Sequence, residues 1–449
     1  MTLAPIASPQ RARVLAWAAW DWGSAAFNAV ITTFVFTVYL TSALFLDPSL
    51  RVGTAAYDAA KASLSTGLGL GLSVAGLVVA LVAPVLGART DYSGHRRRWL
   101  GINTAVVVLA MVAMFGVVGS PAYFPLGVVL VGIGTVFYEF ATVNYNAMLP
   151  GISTPRTIGR VSALGWASGY LGGIVLLLVL YTTLIAGEHH AFGIPEADGL
   201  NIRVVALACA VWAAVFGLPV LLAVPEAPPL SGGPRPGVLQ AYRQLIRDVA
   251  GLWRSDRTLV RFLIASAVFR DGLVGVFSFG GVIAATVFGF TFSQVLVFGI
   301  AANVVAGVST IVSGRFDDRF GPKAVILTSL VGLVVAGGGV FLARGGGTTA
   351  FWVGGLALCL FVGPAQSASR SMLARMVPAE RQGELFGLYA TTGRAATFLA
   401  PAMFTLFIAV TRDQAFGILG IVLVLLAGLL LLIPVRAGGP SERTAPPSR

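Results

Sequence analysis

The chain reads Gly87-Ala88-Arg89-Thr90-Asp91-Tyr92-Ser93-Gly94-His95-Arg96 at one point and Gly314-Arg315-Phe316-Asp317-Asp318-Arg319-Phe320-Gly321-Pro322-Lys323 at another. In both stretches three residues separate a glycine from an aspartate, and a second glycine and then a cation follow at the same spacing. Each stretch lies where one long apolar segment ends and the next begins. A polar hairpin that recurs at the same place in two halves of a chain indicates a duplicated bundle of membrane helices.

Lipid, rather than water, is the expected solvent for most of the surface. Hydrophobic residues make up 57% of the 449 positions, charged residues make up 11%, and the mean hydropathy is +0.87. A soluble domain has about 25% charged residues, so a soluble fold of this length could not cover itself. The net charge of +12 is distributed over short loops between apolar runs, which favours anionic lipid headgroups over nucleic acid as the partner.

Twelve apolar segments are long enough to cross ~30 Å of hydrocarbon as helices, which takes about 20 residues. They lack the alternation that a membrane β-barrel requires, so the sequence predicts an all-α membrane protein. The segments run approximately over residues 14–45, 65–88, 99–118, 122–149, 158–185 and 202–224 in the first half, and over 258–288, 293–314, 324–343, 351–372, 384–410 and 415–435 in the second.

The positions of the arginine and lysine residues predict the orientation. Alternate loops, counted from the amino end, carry 23 of them and the opposite loops carry 5, which indicates that both termini are cytoplasmic. We expect an N-terminal six-helix bundle over residues 1–224, a cytoplasmic linker with an amphipathic helix over 225–257, a C-terminal six-helix bundle over 258–436 and a disordered tail over 437–449.

Five ionisable residues lie well inside the predicted segments. They are Asp21, Glu139, Arg270, Asp271 and Arg394. A charge within the bilayer costs several kcal/mol unless it is paired or hydrated, so each is a candidate functional residue. The three acids outnumber the two arginines, which suits a site that binds a proton or a cation.

Polar residues recur at helical spacing around these charges. A helix facing lipid on all sides would be apolar, so these stripes predict a shared and hydrated interior. The simpler interpretation is that the charges pair only to hold helices together, and the sequence leaves both open. The stripes are Asp21, Ser24, Asn28 and Thr32; Thr135, Glu139, Thr142 and Asn146; Asp271 and Ser278; and Gln366, Ser369 and Arg370.

The repeated hairpin resembles the loop signature of the major facilitator superfamily, which occurs between helices two and three and again between eight and nine. Four further blocks resemble the autophagy-related vacuole effluxer group, whose bacterial members form the unknown major facilitator family. The blocks are Trp20-Asp21-Trp22 through Phe27; Tyr145 to Pro150 followed by Gly159 to Gly172; Arg270-Asp271-Gly272; and Ser369-Arg370-Ser371 through Pro378, then Phe386 to Pro401.

The resemblance implies two pseudo-symmetric six-helix bundles that rock around a central cavity, in a bacterial inner membrane. It also implies that Asp91 and Asp318, with Arg96 and Lys323, help to close the cytoplasmic side through ionic contacts near helix ends. An acid near the amino end of a neighbouring helix is favoured by the helix dipole. The expected cytoplasmic gate also contains the four hairpin glycines, Gly87, Gly94, Gly314 and Gly321.

These observations favour a secondary transporter that moves a small polar solute, such as an amino acid or another small carboxylate, by alternating access. The sequence contains no nucleotide-binding loop, so a proton gradient is the expected energy source, with Glu139, Asp21 or Asp271 as the carrier. Arg270 and Arg394 would hold a carboxylate or a phosphate of the solute. The expected cavity is lined by Asp21, Asn28, Glu139, Asn146, Arg270, Asp271, Gln366 and Arg394.

Two other classes of function are compatible with parts of the sequence. A non-transporting receptor or scaffold would keep the fold, but bulky apolar residues would fill its cavity. An enzyme would need a nucleophile and base or a metal cluster, whereas the three histidines all lie in predicted loops and no zinc-binding spacing occurs. We therefore expect no catalytic residue, no metal and no cofactor, and a monomer that interacts with lipid.

Overall fold

The structure, a computed structural model, describes residues 8–185, 193–195, 197–226, 251, 256–378 and 381–436. Within these ranges the side chains of a few helical residues, Asp91 among them, are outside the description. Helices, turns and irregular segments account for the described residues, and no strand occurs among them. Most of the predicted linker and all of the predicted tail lie outside these ranges.

Fourteen α-helices occur in the described ranges. They are α1 (Ser8–Ala25), α2 (Phe36–Leu40), α3 (Ala55–Ser93), α4 (Arg96–Met114), α5 (Phe124–Ala147), α6 (Ile158–Leu180), α7 (Leu200–Ala223), α8 (Arg257–Thr286), α9 (Phe292–Phe320), α10 (Pro322–Leu342), α11 (Gly347–Met376), α12 (Gln382–Ala396), α13 (Leu399–Thr411) and α14 (Phe416–Leu432).

Eleven helical stretches of the described chain are long and apolar enough to cross a membrane, and the shorter apolar helix α14 follows them. Each matches one of the twelve predicted segments. Two segments are interrupted: a π-helix over Ala26–Phe34 connects α1 with α2, and a break over residues 397–398 separates α12 from α13. The helical content expected from the sequence is therefore confirmed, and the two interruptions are additional to it.

Apolar side chains on the outside of the helices explain the hydropathy of the chain. On α7 the residues Val211, Val215, Leu218 and Leu222 follow one another at helical spacing and are between 54% and 74% exposed. Such a stripe along about three turns of one helix is unfavourable in water and stable in lipid. The same pattern occurs on α3 and α10.

The chain divides into two compact units that differ from its two sequence halves. One unit contains Met1–Leu81, His95–Tyr145 and Ser168–Glu226. In this unit α7 packs against α1 and α4, and the core contains the fully buried side chains of Trp17, Phe27, Phe36 and Met111.

The second unit contains Val82–Gly94, Asn146–Ala167 and Ala227–Arg449. Here α11 packs against α9 and α10, and α8 packs against α12 and α14. Two short pieces of the first sequence half are thus part of this unit: the end of α3 with its hairpin, and the stretch from the end of α5 into α6. Both pieces carry residues of the expected cytoplasmic gate or of the family-like blocks.

Candidate functional site

Arg270, on α8, stacks over the aromatic ring of Tyr389 on α12. Its guanidinium carbon lies 3.9 Å from the ring centroid, and Nη1 donates a 3.2 Å hydrogen bond to the backbone carbonyl of the same tyrosine. Gly393 makes room for this contact, because a Cβ atom there would lie 3.1 Å from Nη1. The side chain is half-buried, and within the described part of the chain no carboxylate forms an ion pair with it. Its remaining N–H groups suit an anion.

The neighbouring Asp271 is buried and faces a helix end. Its Oδ2 atom accepts a 2.6 Å hydrogen bond from the backbone N–H of Ala400, in the first turn of α13. The first N–H groups of a helix have no partner within the helix, and a carboxylate there also benefits from the helix dipole. Asp271 therefore stabilises the restart of the interrupted helix, a role that the sequence did not suggest.

Asp21, on α1, is half-buried beside a column of aromatic rings. Tyr145 Oη donates a 3.2 Å hydrogen bond to Asp21 Oδ2, and the Tyr145 ring stacks against Trp17 and Trp20 with centroids 4.2 and 4.4 Å away. A Cβ atom at Gly169 would lie 3.3 Å from the carboxylate, so this glycine leaves room for it. The carboxylate is thus held by an oriented phenol in the first unit.

The other predicted cavity residues occupy partly exposed positions. Glu139 on α5, Gln366 on α11 and Arg394 on α12 are half-buried. Asn28 lies in the π-helix with its side chain exposed, and its carbonyl accepts hydrogen bonds from Thr32 and Thr33 at 2.6 and 2.9 Å. The π-helical turn explains why the predicted stripe does not continue along one α-helical face, since its residue period is longer.

Asp318 forms the centre of a contact between α9 and the start of α6. Its carboxylate accepts hydrogen bonds from the backbone N–H of Gly159 at 2.8 Å and from Nε of Arg160 at 2.8 Å. Arg375 Nη2 lies 3.3 Å from the same carboxylate. A carboxylate on the first turn of a helix and beside two arginines is stabilised by both the helix dipole and direct pairing. We call Asp318, Gly159, Arg160 and Arg375 the Asp318 cluster.

Asp317, the residue before Asp318, is the more deeply buried of the two aspartates. Asp317 is 2% exposed, accepts a hydrogen bond from the hydroxyl of Ser371, and pairs with Arg375 at 2.8 Å. A single guanidinium thus bridges two successive aspartates. The sequence offered one signal for this arrangement, the Asp-Asp pair within the second hairpin, but it gave no indication of which arginine would face it.

Close helix contacts explain the first glycine of each hairpin. A Cβ atom at Gly87 would collide with the backbone carbonyl of Gly383, at the start of α12. A Cβ atom at Gly314 would lie 2.9 Å from Cα of Arg160, at the start of α6. Only glycine permits backbones to approach this closely, so the two copies of the motif make equivalent contacts at equivalent helices.

The rest of each hairpin turns the chain and fixes helix ends. Gly94 and Gly321 have φ angles of 68° and 85°, which side chains rarely adopt. Arg96 is buried, whereas Lys323 donates a 2.8 Å hydrogen bond to the carbonyl of Ile433 at the end of α14. Lys323 therefore caps a helix carboxyl end, as cations often do, where an ionic contact with an acid was expected. Asp91 lies in the last turn of α3.

In the first half a similar helix-capping bond is formed by Arg97, the residue after the predicted Arg96. Arg97 Nη1 donates to the carbonyl of Val224 at 3.1 Å, just beyond α7. Glu226 in turn accepts hydrogen bonds from the backbone N–H groups of Arg97 and Arg98 at 2.9 and 3.0 Å, and so caps α4. Each hairpin thereby ties its following helix to the last helix of its own half.

Comparisons with known proteins agree with this architecture. The sequence profile of the family described as "Vacuole effluxer Atg22 like" matches residues 9–439. The chain belongs to this family. An uncharacterised MFS-type transporter of Bacillus subtilis, YxiO, is 24% identical over 93% of both chains. Autophagy-related protein 22 of Cryptococcus neoformans is 26% identical over 64% of the chain, and the match spans only 51% of that fungal protein.

Solved structures show the same fold. The proton:xylose symporter XylE superposes with a TM-score of 0.70 and 15% identity over 94% of each chain. The human organic anion transporter MFSD10 superposes with a TM-score of 0.69 and 16% identity, over 94% of this chain and 99% of that one. The twelve-helix major facilitator fold is therefore confirmed. The protein is a multi-pass membrane protein and a secondary transporter of small-molecule solutes rather than an enzyme.

Proposed function

We propose that the transported solute is a small polar molecule with a carboxylate or another anionic group, such as an amino acid, and that Arg270 binds this group. The observation that carries the proposal is the guanidinium of Arg270, held flat on the Tyr389 ring at 3.9 Å. A half-buried arginine within a membrane-spanning helix is costly, and an anionic ligand would offset that cost. Arg394, one residue from Gly393 on the same helix as Tyr389, is the second candidate for this role.

Proton coupling is the second part of the proposal. Asp21, Glu139 and Asp271 are the candidate carriers, because each is a carboxylate inside a membrane-spanning helix. Asp271 is already bound to a helix N–H group, and protonation would weaken that bond. Glu139 is half-buried within the membrane-spanning helix α5, and it is the first carrier to test.

The cytoplasmic gate is the third part. The Asp318 cluster and the close contact of Gly87 with Gly383 would hold the cytoplasmic side shut in one state and separate in the other. The charge bias of the loops supports cytoplasmic termini in a bacterial inner membrane, and the duplicated hairpin supports rocking of two sequence halves. We propose a monomer as the transporting unit.

Uptake into reconstituted vesicles tests the anion site. We would supply radiolabelled L-glutamate, succinate, acetate and neutral amino acids with and without an imposed pH gradient. For any solute taken up, Arg270→Gln should lower the apparent affinity by about 10-fold or more, since a hydrogen bond to a charged group contributes about 1.5–3 kcal/mol. Arg51→Gln, in an exposed loop, is the matched control. Equal uptake by the two variants would contradict the proposal.

A second variant tests the coupling. Glu139→Gln should remove the dependence of uptake on the pH gradient while exchange of internal for external solute continues, because exchange needs no net proton movement. Uptake that still responds to the gradient in this variant would exclude Glu139 as the carrier.

A further inference from the structure

Helix α11 carries three consecutive buried polar residues, Ser369, Arg370 and Ser371. Their exposed fractions are 0%, 4% and 0%. Consecutive residues of an α-helix point about 100° apart, so the three side chains face three different neighbours. Buried polar groups need partners, and each of these residues has one that belongs to a different part of the second unit.

Ser369 lies next to the proposed anion site. Its hydroxyl is 2.7 Å from the hydroxyl of Tyr389, the residue whose ring and carbonyl hold Arg270. Tyr389 is therefore held at two points. Its hydroxyl bonds to Ser369 on α11, and the guanidinium of Arg270 covers the face of its ring. A movement of Arg270 away from the ring would remove one of these two contacts and leave the bond to Ser369.

Arg370 binds the piece of the first sequence half that belongs to the second unit. Its Nε donates to Ser162 Oγ at 3.0 Å, its Nη1 donates to Asn146 Oδ1 at 3.1 Å, and its Nη2 donates to the carbonyl of Ser162. Its guanidinium carbon also lies 5.6 Å from the Trp166 ring centroid. Opening on this side would have to break several of these bonds together, because all of them involve residues 146–166.

Asn146 and Arg370 are equivalent residues of the two halves. Each lies thirteen positions before the glycine at which the close helix contact is made, Gly159 in the first half and Gly383 in the second. Their side chains are hydrogen-bonded to each other. The amide oxygen in one half accepts a hydrogen bond from the guanidinium in the other, whereas two arginines at these positions would repel each other.

Ser371, the third of these residues, is linked to the Asp318 cluster through Asp317. Its hydroxyl donates to Asp317, which pairs with Arg375 at 2.8 Å, and Arg375 also contacts Asp318 at 3.3 Å. Three adjacent residues of one rigid helix therefore touch the support of Arg270, the 146–166 piece, and the ionic cluster. A rigid shift of α11 would move all three contacts together.

We propose that Ser369, Arg370 and Ser371 couple the occupancy of the Arg270 site to the closed state of the Asp318 cluster, with Tyr389 as the positioning residue between them. The proposal rests on the proposed function in that Arg270 is the anion site. An anion that neutralises Arg270 weakens its attraction to the Tyr389 ring. Tyr389 then moves more freely with α12, Ser369 loses a fixed partner, and the Arg370 bonds are easier to break.

The experiment measures how often the cytoplasmic contact opens. Thr90 is fully buried in the last turns of α3, and its hydroxyl bonds only within its own helix, to the carbonyl of Gly87 at 2.7 Å. Thr90→Cys in a background with Cys209→Ala and Cys359→Ala gives one thiol that reacts with a charged methanethiosulfonate reagent when the contact opens. The labelling rate of the full chain in lipid nanodiscs is the readout.

A double-mutant cycle in the absence of any solute tests the coupling. We expect Arg270→Gln and Arg370→Lys together to change the labelling rate by a factor that differs at least about threefold from the product of the two single effects. Tyr389→Phe keeps the ring and the carbonyl but removes the hydroxyl. In that background the effect of the double variant should equal the product of the two single effects, which we call the product rule. Ser309→Ala, whose hydroxyl bonds only its own helix, is the control and should leave the threefold difference intact.

The outcomes separate this proposal from the proposed function. The coupling is overturned if the effects of Arg270→Gln and Arg370→Lys on the labelling rate simply multiply in the protein that retains Tyr389. It is also overturned if Tyr389→Phe leaves the threefold difference unchanged. Should Arg370→Lys fail to fold, Ser369→Ala replaces it in the same cycle with the same expectation. Succinate and L-glutamate are then added as probes: a threefold difference with no response to either probe supports the coupling and counts against the anion site. A response to a probe with the product rule obeyed supports the anion site and overturns the coupling.

Discussion

Replacing Asp318 by asparagine should shift the protein away from the state in which the cytoplasmic contact is closed. The carboxylate accepts two short hydrogen bonds, from the backbone N–H of Gly159 and from Nε of Arg160, both at 2.8 Å. An asparagine side chain has the same shape but only one acceptor oxygen, and its NH₂ group would face a donor. The variant therefore keeps at most one of these two bonds and loses the charge.

The size of the effect follows from these contacts. A net hydrogen bond to a charged group contributes about 1.5–3 kcal/mol, and a charge at a helix amino end adds about 0.3–1 kcal/mol. We take the lower end of the sum, about 2 kcal/mol, because the side chain of Arg160 is 35% exposed and solvent screens its charge. A change of about 2 kcal/mol shifts the equilibrium between closed and open states by about 30-fold.

Thiol labelling at position 90 measures this shift. When the closed state dominates, the labelling rate is proportional to the open fraction, so Asp318→Asn should raise it by about the same factor of 30. Asp413→Asn is the matched control, because this exposed acid lies in the loop before α14 and binds only the nearby N–H of Ala415 at 2.9 Å. A change of less than about threefold in Asp318→Asn, or an equal change in both variants, would exclude the Asp318 carboxylate as a determinant of the closed state.

Two further substitutions test the helix contacts. Asp271→Ala removes the acceptor at the start of α13, so the free energy of unfolding should fall by about 1–3 kcal/mol and the thermal unfolding midpoint in detergent should fall with it; a midpoint equal to that of the unmodified protein would contradict the capping role. Gly87→Leu should prevent the close approach to α12 and raise thiol labelling at position 90. Gly69→Leu, on the same helix but facing open space, should leave the labelling rate unchanged, and equal rates in the two variants would exclude the glycine contact as a determinant of closure.

The sequence predicted the features that depend on local pattern. The hairpin repeat, the length of the apolar runs and the glycine spacing indicated twelve helices and the fold, because lipid requires each span to satisfy its own backbone. The close contacts of Gly87 and Gly314 give those glycines a physical reason that fits their place in the motif. The resemblance to the vacuole effluxer family was confirmed over residues 9–439.

The partners of the charged residues could not be predicted. Arg160 and Arg375 are two of the 23 cationic residues that indicate the cytoplasmic loops, and a single sequence does not show that they meet the two aspartates of the second hairpin. Tyr389 is one aromatic residue within an apolar run, and its role emerges only from the ring contact with Arg270. These pairs join residues 57 to 158 positions apart, and such pairing depends on the tertiary fold, which local periodicity does not encode.

The sequence also did not predict where two of the helices are interrupted. The run Asn28 to Thr33 has the composition of an ordinary polar stripe, yet it forms a π-helix in which two threonine hydroxyls bind the carbonyl of Asn28. The break before α13 lies three residues ahead of Pro401, and the sequence did not indicate that Asp271 would bind the N–H group of Ala400. The roles of the remaining cavity residues stay predictions.

A distance measurement across the Asp318 cluster tests directly whether this contact opens. Spin labels at Arg156→Cys and Arg315→Cys, both exposed and on opposite sides of the contact between α6 and α9, would report the separation by double electron–electron resonance in nanodiscs. We expect one short distance in the unmodified background and a second, longer population in Asp318→Asn. A single distance that is identical in both proteins would contradict an opening gate at this contact.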